Sequence, residues 1–366
     1  MKAVILNSGL GYRMGALTSE HPKCMTEISP TDTILSRQLK LIAAVGIEEV
    51  VMTTGYFDSV LVNYCKSLDL PLKYKFIKNP VYDQTNYIYS IYCAKELLEG
   101  QDIILMHGDL VFEISVLEEL IAHEKSCMKV SSTVELPAKD FKAVVHNGLV
   151  KKVGVEFFDD AMEAQALYKL NRDDWQIWLD KICEFCENDN NKCYAEVALN
   201  QITDKCIIHA LDVTDRLCAE IDTPEDLAVV RMHLHEIENR TVYMCFSSDI
   251  IHEGHIAAIH RAKKMGKLIV GILSDEALNT KKTLMPFSVR KVILENITGV
   301  SKVIEQKSLS YVDVLHKVRP NYLIHEDSWK SGSYRKYRDE AVSVLAEYGG
   351  KLVEYTYSSS VLDKKL

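Results

Sequence analysis

Short apolar runs and amphipathic helical stretches alternate along almost the whole chain, and that rhythm constrains the fold more than any other feature. KAVILN reads as a buried strand that ends in a glycine-rich turn. ILSRQLKLIAAVG reads as a helix that stops at Gly46, and EEVVMTTG as the next strand. YFDSVLVNYCKSL (helix), LKYKFIKN (strand), QDIILMHGDLVF (strand) and SVLEELIAHEK (helix) continue the pattern. Such alternation predicts an α/β fold with a mostly parallel sheet and helices on both faces. From about residue 130 to 215 the rhythm gives way to irregular and amphipathic material that reads as an insertion. A helix then starts at Thr223-Pro224-Glu225-Asp226 and runs through LAVVRMHLHEIEN. After Asn239-Arg240 the alternation begins afresh with TVYMCF (strand), GHIAAIHRAKKMG (helix), KLIVGILS (strand) and VRKVILENI (helix). The expected domains are residues 1–238 and a smaller α/β unit, 239–366, with no repeat relating them.

Composition narrows the function classes. A chain of 366 residues exceeds one comfortable core, and 47% hydrophobic with 26% charged residues is ordinary for a folded protein. A net charge of −9 with no basic run argues against a nucleic-acid or anionic-membrane surface, while leaving room for a local cationic pocket. Of ten cysteines only Cys183 and Cys186 are closely spaced, in a helical stretch and without a second pair at zinc spacing. They read as thiols of a cytoplasmic protein. The first apolar run, AVIL, is too short for a signal peptide, and no run approaches the roughly 20 residues that span a bilayer.

The first chemical motif is Leu6-Asn7-Ser8-Gly9-Leu10-Gly11-Tyr12-Arg13-Met14-Gly15, directly after the first strand. Glycines in such a turn let backbone N–H groups approach phosphate oxygens, and an arginine adds charge-assisted bonds. It is neither a P-loop nor the dinucleotide fingerprint, because no Gly-Lys-Ser/Thr follows and the third glycine comes one residue late. Alone, it could be a tight strand–helix turn. With Pro22-Lys23 behind it, the stretch resembles the signature of sugar-phosphate-type nucleotidyltransferases. More closely it resembles the branch of CTP:phosphocholine and CTP:2-aminoethylphosphonate cytidylyltransferases. Asn79-Pro80, Thr85-Asn86, Tyr89-Ser90, Gly108-Asp109-Leu110, Lys139-Asp140-Phe141-Lys142-Ala143, Glu156-Phe157-Phe158 and Leu167-Tyr168-Lys169-Leu170 extend that resemblance. Tyr194-Ala195-Glu196, Ala198-Leu199-Asn200 and Glu220-Ile221-Asp222-Thr223 carry it to about residue 230.

The resemblance implies a GT-A-like/Rossmann-like domain that transfers CMP from CTP to 2-aminoethylphosphonate or a close analogue such as 2-hydroxyethylphosphonate. It implies nucleotide contacts from Leu6, Asn7, Ser8, Gly9, Gly11, Met14, Gly15, Asn86 and Gly108, with Lys23 and Arg13 catalytic. Mg²⁺ is expected on Asp109 and Asp222. Asp109 sits where open α/β sheets place ligands, and two carboxylates are a usual protein share of a Mg²⁺ shell. Either aspartate could equally cap a helix. Lys142 is expected to hold the phosphonate, Asp140 or Glu196 the amine, and Tyr168 to line the same pocket. Phosphocholine is the alternative acceptor, since Tyr82, Tyr87, Tyr168 and Tyr194 could cage a quaternary amine.

A second motif, His252-Glu253-Gly254-His255, opens a helix after a strand. With Ser248-Asp249, Lys281-Lys282, Arg290 and His325-Glu326-Asp327-Ser328-Trp329-Lys330 it resembles the HIGH-type cytidylyltransferases, especially the copy fused to phosphoenolpyruvate mutases. The resemblance implies a nucleotide site at His252, His255, Arg290 and Trp329. The family's phosphate-binding C-terminal loop is replaced here by Tyr357-Ser358-Ser359-Ser360-Val361-Leu362-Asp363-Lys364, which lacks its glycine and paired hydroxyls. Lost donors cost such a site about 1.5–3 kcal/mol each. The domain is therefore either a second active site, making the chain bifunctional, or a nucleotide-sensing or structural module. Oligomeric state is not fixed by the sequence; a homodimer is one arrangement it permits.

Overall fold

The computed structural model describes residues 1–9, 11–214, 216–247, 250–278 and 284–355. The chain forms two compact units, Met1–Met232 and His233–Leu366. The division falls within the helix Pro224–Asn239, a few residues before the sequence rhythm restarts.

The first unit is built on one nine-stranded mixed sheet. Its order is Lys73–Lys78, Glu49–Thr54, Lys2–Leu6, Ile103–His107, Ala161–Leu170, Cys127–Ser131, His209–Asp212, Leu149–Gly154 and Lys142–His146. The first four strands are parallel. Ala161–Leu170 then runs antiparallel to both its neighbours. The first strand is buried on both faces, as its unbroken apolar run requires. Val4 and Leu6 join a core with Ile88, Ile91, Trp175 and Trp178, while Ala3 and Ile5 pack on the opposite face with Leu35, Leu39 and Met52. The helix Ile34–Ala44 begins where Thr33 and Ser36 exchange backbone-to-side-chain bonds of 2.9 and 3.0 Å, a reciprocal cap.

The insertion expected over residues 130–215 is not one. That stretch supplies four whole strands of the nine, and Ala161–Leu170 is the sheet's central antiparallel strand. AMEAQALYKL gives no strand signal because it is rich in helix formers and carries Glu163, Gln165 and Lys169 where a buried strand should be apolar. These polar side chains are satisfied inside the fold. Lys129 on the adjacent strand pairs with Glu163, Gln165 donates to Glu163 at 2.9 Å, and Lys169 donates to the His123 carbonyl.

Among its described residues the second unit has five strands, all parallel, in the order Val300–Gln306, Lys267–Leu273, Thr241–Phe246, Tyr322–Glu326 and Lys351–Tyr355. Chain direction across the sheet reverses between Thr241–Phe246 and Tyr322–Glu326, and open α/β sheets bind ligands at the carboxyl ends of such a switch point. Among the described residues no helix is long and apolar enough to cross a membrane.

Candidate active site

Leu6 lies beside His107 in the parallel pairing of their strands. The residues that follow, Asn7 and Gly108, are therefore forced together. A Cβ on Gly108 would stand 1.6 Å from Asn7 Oδ1, so only glycine fits there. Gly11, at φ 66°, lets the loop double back over Lys23, whose Cβ would lie 2.9 Å from any Cβ at Gly11. Asp109 comes next on its strand end. Asp222 reaches it because Cys218–Glu220 pairs antiparallel with Leu110–Phe112, and Ile221 N donates to the Asp109 carbonyl at 3.1 Å.

Lys23 closes this cluster. Its ammonium pairs with Asp109 and donates to Asp222 Oδ1 at 2.7 Å, while Arg13 meets Asp222 Oδ2 at 2.8 Å. Burial disfavours a charge on Lys23, but the two aspartates outweigh it and hold the ammonium above the ordinary lysine range. Burial likewise opposes ionised Asp109, yet Lys23 and His107 keep its carboxyl below the usual range. The lysine lies in a cavity of about 330 Å³ lined by Leu6, Asn7, Gly9, Gly11, Tyr12, Arg13, Gly108 and both aspartates.

A second cavity of about 260 Å³ shares Arg13, Asp109 and Asp222 with the first. Its wall is aromatic and acidic. Tyr87 and Tyr194 stand 5.9 Å apart, Phe141 meets Tyr194 edge-on at 5.1 Å, and Asp140 and Glu220 contribute carboxylates. His107 lies on this wall, its Nδ1 3.1 Å from Glu220 Oε1. Burial works against the imidazolium, but the bond to Glu220 and the charges of Glu220, Asp109 and Glu196 raise its pKa above the ordinary value. Burial, then Asp222 and Asp226, push Asp140 upward. Oxygens of Asp140, Glu220 and Asp222 lie within 4.8 Å of one another, as do donor atoms of His107, Asp109 and Glu220. Asp109 Oδ1 is buried and unpartnered among the described residues. A hard divalent cation fits this oxygen-rich set.

In the second unit a cavity of about 360 Å³ lies at the switch point, lined among others by Phe246, His255, Tyr311, His325 and Trp329. His325 stacks on Trp329 at 3.6 Å and 9°. Trp329 Nε1 donates to Glu354 at 2.8 Å.

Three comparisons with known proteins bear on both units. Residues 3–135 match the MobA-like NTP transferase domain, and residues 245–347 match the cytidylyltransferase-like family. Each of the two units thus contains a segment similar to a nucleotidyltransferase-type domain. It is 33% identical over 126 residues to the CTP:phosphoglutamine cytidylyltransferase of Campylobacter jejuni, covering 33% of this chain and 48% of that protein. Over 166 residues it is 31% identical to the CMP-5'-(3-aminopropyl)phosphonate synthase of Streptomyces rubellomurinus, covering 45% and 26%. The chain thus spans about half the length or less of these relatives. The solved inositol-1-phosphate CTP transferase of T. maritima shares the fold, with a TM-score of 0.52 and 20% identity, over 64% of this chain and 96% of that one.

Within the transferase domain, the sequence-derived residues separate into two groups. Leu6, Asn7, Ser8, Gly9, Gly11, Arg13, Lys23, Asn86, Gly108, Asp109, Asp140 and Asp222 line one or both cavities. Asn86 also accepts from Tyr87 N at 2.7 Å and so starts the helix Tyr87–Cys93. Met14 is buried, and neither it nor Gly15 is on a cavity wall. The expectation for Lys142 is corrected. Its side chain is fully buried, with the ammonium donating to the Pro137 and Asp140 carbonyls at 2.5 and 3.0 Å. Tyr168 and Glu196 are also buried off the walls. Glu196 accepts from Tyr168 OH at 2.9 Å and from Tyr87 OH, so both act behind Tyr87.

In the cytidylyltransferase-like domain, His255 and Trp329 line the cavity while His252 and Arg290 do not. His252 caps the helix Glu253–Ala262 by accepting from Gly254 N at 3.1 Å. Arg290 is buried and bound to the Leu273 carbonyl at 3.0 Å and to Asp275 at 2.5 Å. Leu10, Ser248-Asp249, Lys281-Lys282 and the segment 357–364 lie outside the described residues. Sequence reasoning gave no role to His107, Glu220 or Lys139. His107 directly precedes Gly108-Asp109, and Glu220 stands two residues before Asp222; proximity to the assigned aspartates was the available signal.

Proposed function

We propose that the N-terminal domain transfers CMP from CTP to a small phosphonate, 2-aminoethylphosphonate or a close analogue such as 2-hydroxyethylphosphonate. The observation that carries this reading is Lys23, held by Asp109 and Asp222 where a glycine-rich loop cavity adjoins an aromatic, acidic one. The glycine loop takes the triphosphate, and the second cavity takes the acceptor. A phosphonate oxygen attacks the α-phosphorus, the bond to the β-phosphate breaks, and pyrophosphate departs with the electron pair. The nucleophile is already anionic, so no general base is required. Lys23 and Arg13 offset the charge that builds on the phosphates, and the loop fixes their direction. Asp109 and Asp222 would hold Mg²⁺, which supplies further charge neutralisation at the triphosphate. The carboxylates of Asp140 and Glu220 fit the acceptor's amine.

Phosphocholine is the second reading. Tyr87, Tyr194 and Phe141 supply aromatic faces beside acids, which suits a quaternary amine. The cytidylyltransferase-like domain serves in this proposal as an auxiliary module, since Arg290 is committed to Asp275 and backbone carbonyls. The reaction chemistry suits a cytoplasmic enzyme.

The test is pyrophosphate release from CTP and Mg²⁺ with 2-aminoethylphosphonate, 2-hydroxyethylphosphonate, phosphocholine and glucose-1-phosphate in parallel. Turnover with a phosphonate that disappears in Lys23→Ala and persists in His255→Ala supports the reading. Loss confined to His255→Ala moves catalysis to the second domain, and no turnover with any acceptor rejects the substrate class.

A further inference from the structure

The acceptor cavity needs a cation for the acceptor's own anionic group, and the cations of the two adjoining cavities named so far are already engaged. Arg13, on the wall of both, is held by Asp222, and Lys23, on the wall of the glycine-loop cavity, by both aspartates. Lys139 also lines this cavity, and among the described residues its ammonium has no hydrogen-bond or ion-pair partner. It is carried by the segment 137–141, which has no regular structure of its own except where it enters the strand Lys142–His146.

That segment is nonetheless fixed at three points. The buried Lys142 ammonium donates to the carbonyls of Pro137 at 2.5 Å and Asp140 at 3.0 Å. Ala164 N, on the central strand, donates to the Phe141 carbonyl at 3.1 Å. Phe141 is itself buried, edge-on to Tyr194. Lys142 makes no ion pair among the described residues, and the Phe158 ring covers its ammonium at 4.2 Å. A fully buried ammonium spent on two carbonyls of one short segment costs desolvation that only the shape of that segment repays.

We propose that Lys139 binds the phosphonate or phosphate of the acceptor and that Lys142 is the positioning residue that holds Lys139 and Asp140 on the cavity wall. This rests on the reading of the second cavity as the acceptor site. Anion and amine of one small molecule are then met by adjacent residues of one segment, Lys139 and Asp140. A charge-assisted bond of this kind sets the spacing the acceptor must have between its two charged ends. An acceptor lacking either end loses its partner.

The experiment uses the full chain. Calorimetric titration with 2-aminoethylphosphonate is run with a CTP analogue bearing an α,β-methylene bridge, which cannot transfer CMP. Pyrophosphate release with CTP is measured beside it. In Lys139→Ala the acceptor's Kd and KM are expected to rise about 10- to 100-fold, the loss of one charge-assisted bond. The KM for CTP should move less than about twofold. Lys142→Met is expected to weaken acceptor binding comparably while analogue binding persists, and Lys142→Arg to recover part of it, since a guanidinium still offers donors to both carbonyls. An acceptor Kd unchanged in Lys139→Ala, an equal rise for acceptor and CTP, or no acceptor binding to the wild type overturns the proposal. Acceptor binding that depends on Lys139 but without turnover rejects cytidylyl transfer and leaves the anion site standing.

Discussion

At the scale of single residues, the site is a balance of charges held close by backbone constraints. Lys23 occupies the carboxylates of Asp109 and Asp222, which a divalent cation would also occupy. Lys23→Ala should lower kcat by roughly 100- to 1,000-fold, the effect of removing one preorganised charge from a transition state. The same substitution removes the cation shared by the two carboxylates and leaves Asp222 only Arg13, so Mg²⁺ should raise its thermal midpoint by more than it raises that of the wild type. Differential scanning calorimetry with and without Mg²⁺ checks this; equal shifts would mean that the aspartates do not receive the metal. Gly108→Ala forces a methyl against Asn7. It should destabilise the protein by about 1–3 kcal/mol and raise the KM for CTP, because the displaced residue lines the cavity proposed for the triphosphate. Denaturant unfolding and steady-state kinetics read the two effects separately. The loop residues that line the first cavity were legible from the loop's composition. Lys142 was not, because a lysine two residues after an aspartate looks identical in sequence whether its ammonium enters a pocket or caps its own segment.

At the scale of elements, the informative failure is the strand Ala161–Leu170. Its alanines and polar residues predict no strand, yet it is buried along most of its length because sheet lies on either side of it. The Lys129–Glu163 pair sits there, both side chains almost fully buried. Glu163→Ala should cost about 3–5 kcal/mol, since it strands an ammonium in the core. The double variant Lys129→Met/Glu163→Leu should recover most of that loss, because an apolar pair of similar volume carries no desolvation penalty. Urea denaturation of the two variants decides the matter: a double variant as unstable as the single one would show that the pair's geometry, not its charge, holds these strands. By contrast, the strand Lys2–Leu6 and the helix Ile34–Ala44 were legible at once, since an unbroken apolar run and a Thr–Ser cap carry local signals that packing reinforces.

At the scale of the whole molecule, each unit carries its own charge economy. In the second unit Arg338 binds Glu354 through two bonds of 2.9 Å. Those bonds foremost, helped by Trp329 and opposed by burial, hold the Glu354 carboxyl down at about 2 against an ordinary 4.5. A depressed carboxylate contributes stability that is present above its unfolded value and lost as pH falls through its folded value. Unfolding midpoints of this unit should therefore drop between about pH 4.5 and 2, and Glu354→Gln should flatten that part of the profile. A wild-type drop retained in Glu354→Gln would assign the acid sensitivity elsewhere. The sequence by itself determined the α/β class, the restart of the fold in the second unit, and the glycine, lysine and aspartate positions around the glycine-rich loop, because those signals are local in the chain. Only the tertiary structure decided that residues 130–215 complete the first sheet, that His107 and Glu220 face each other, and that Lys139 rather than Lys142 lines the second cavity. Those outcomes depend on strand order and on which side of a segment a side chain leaves, and neither is encoded in the spacing of residues along the chain.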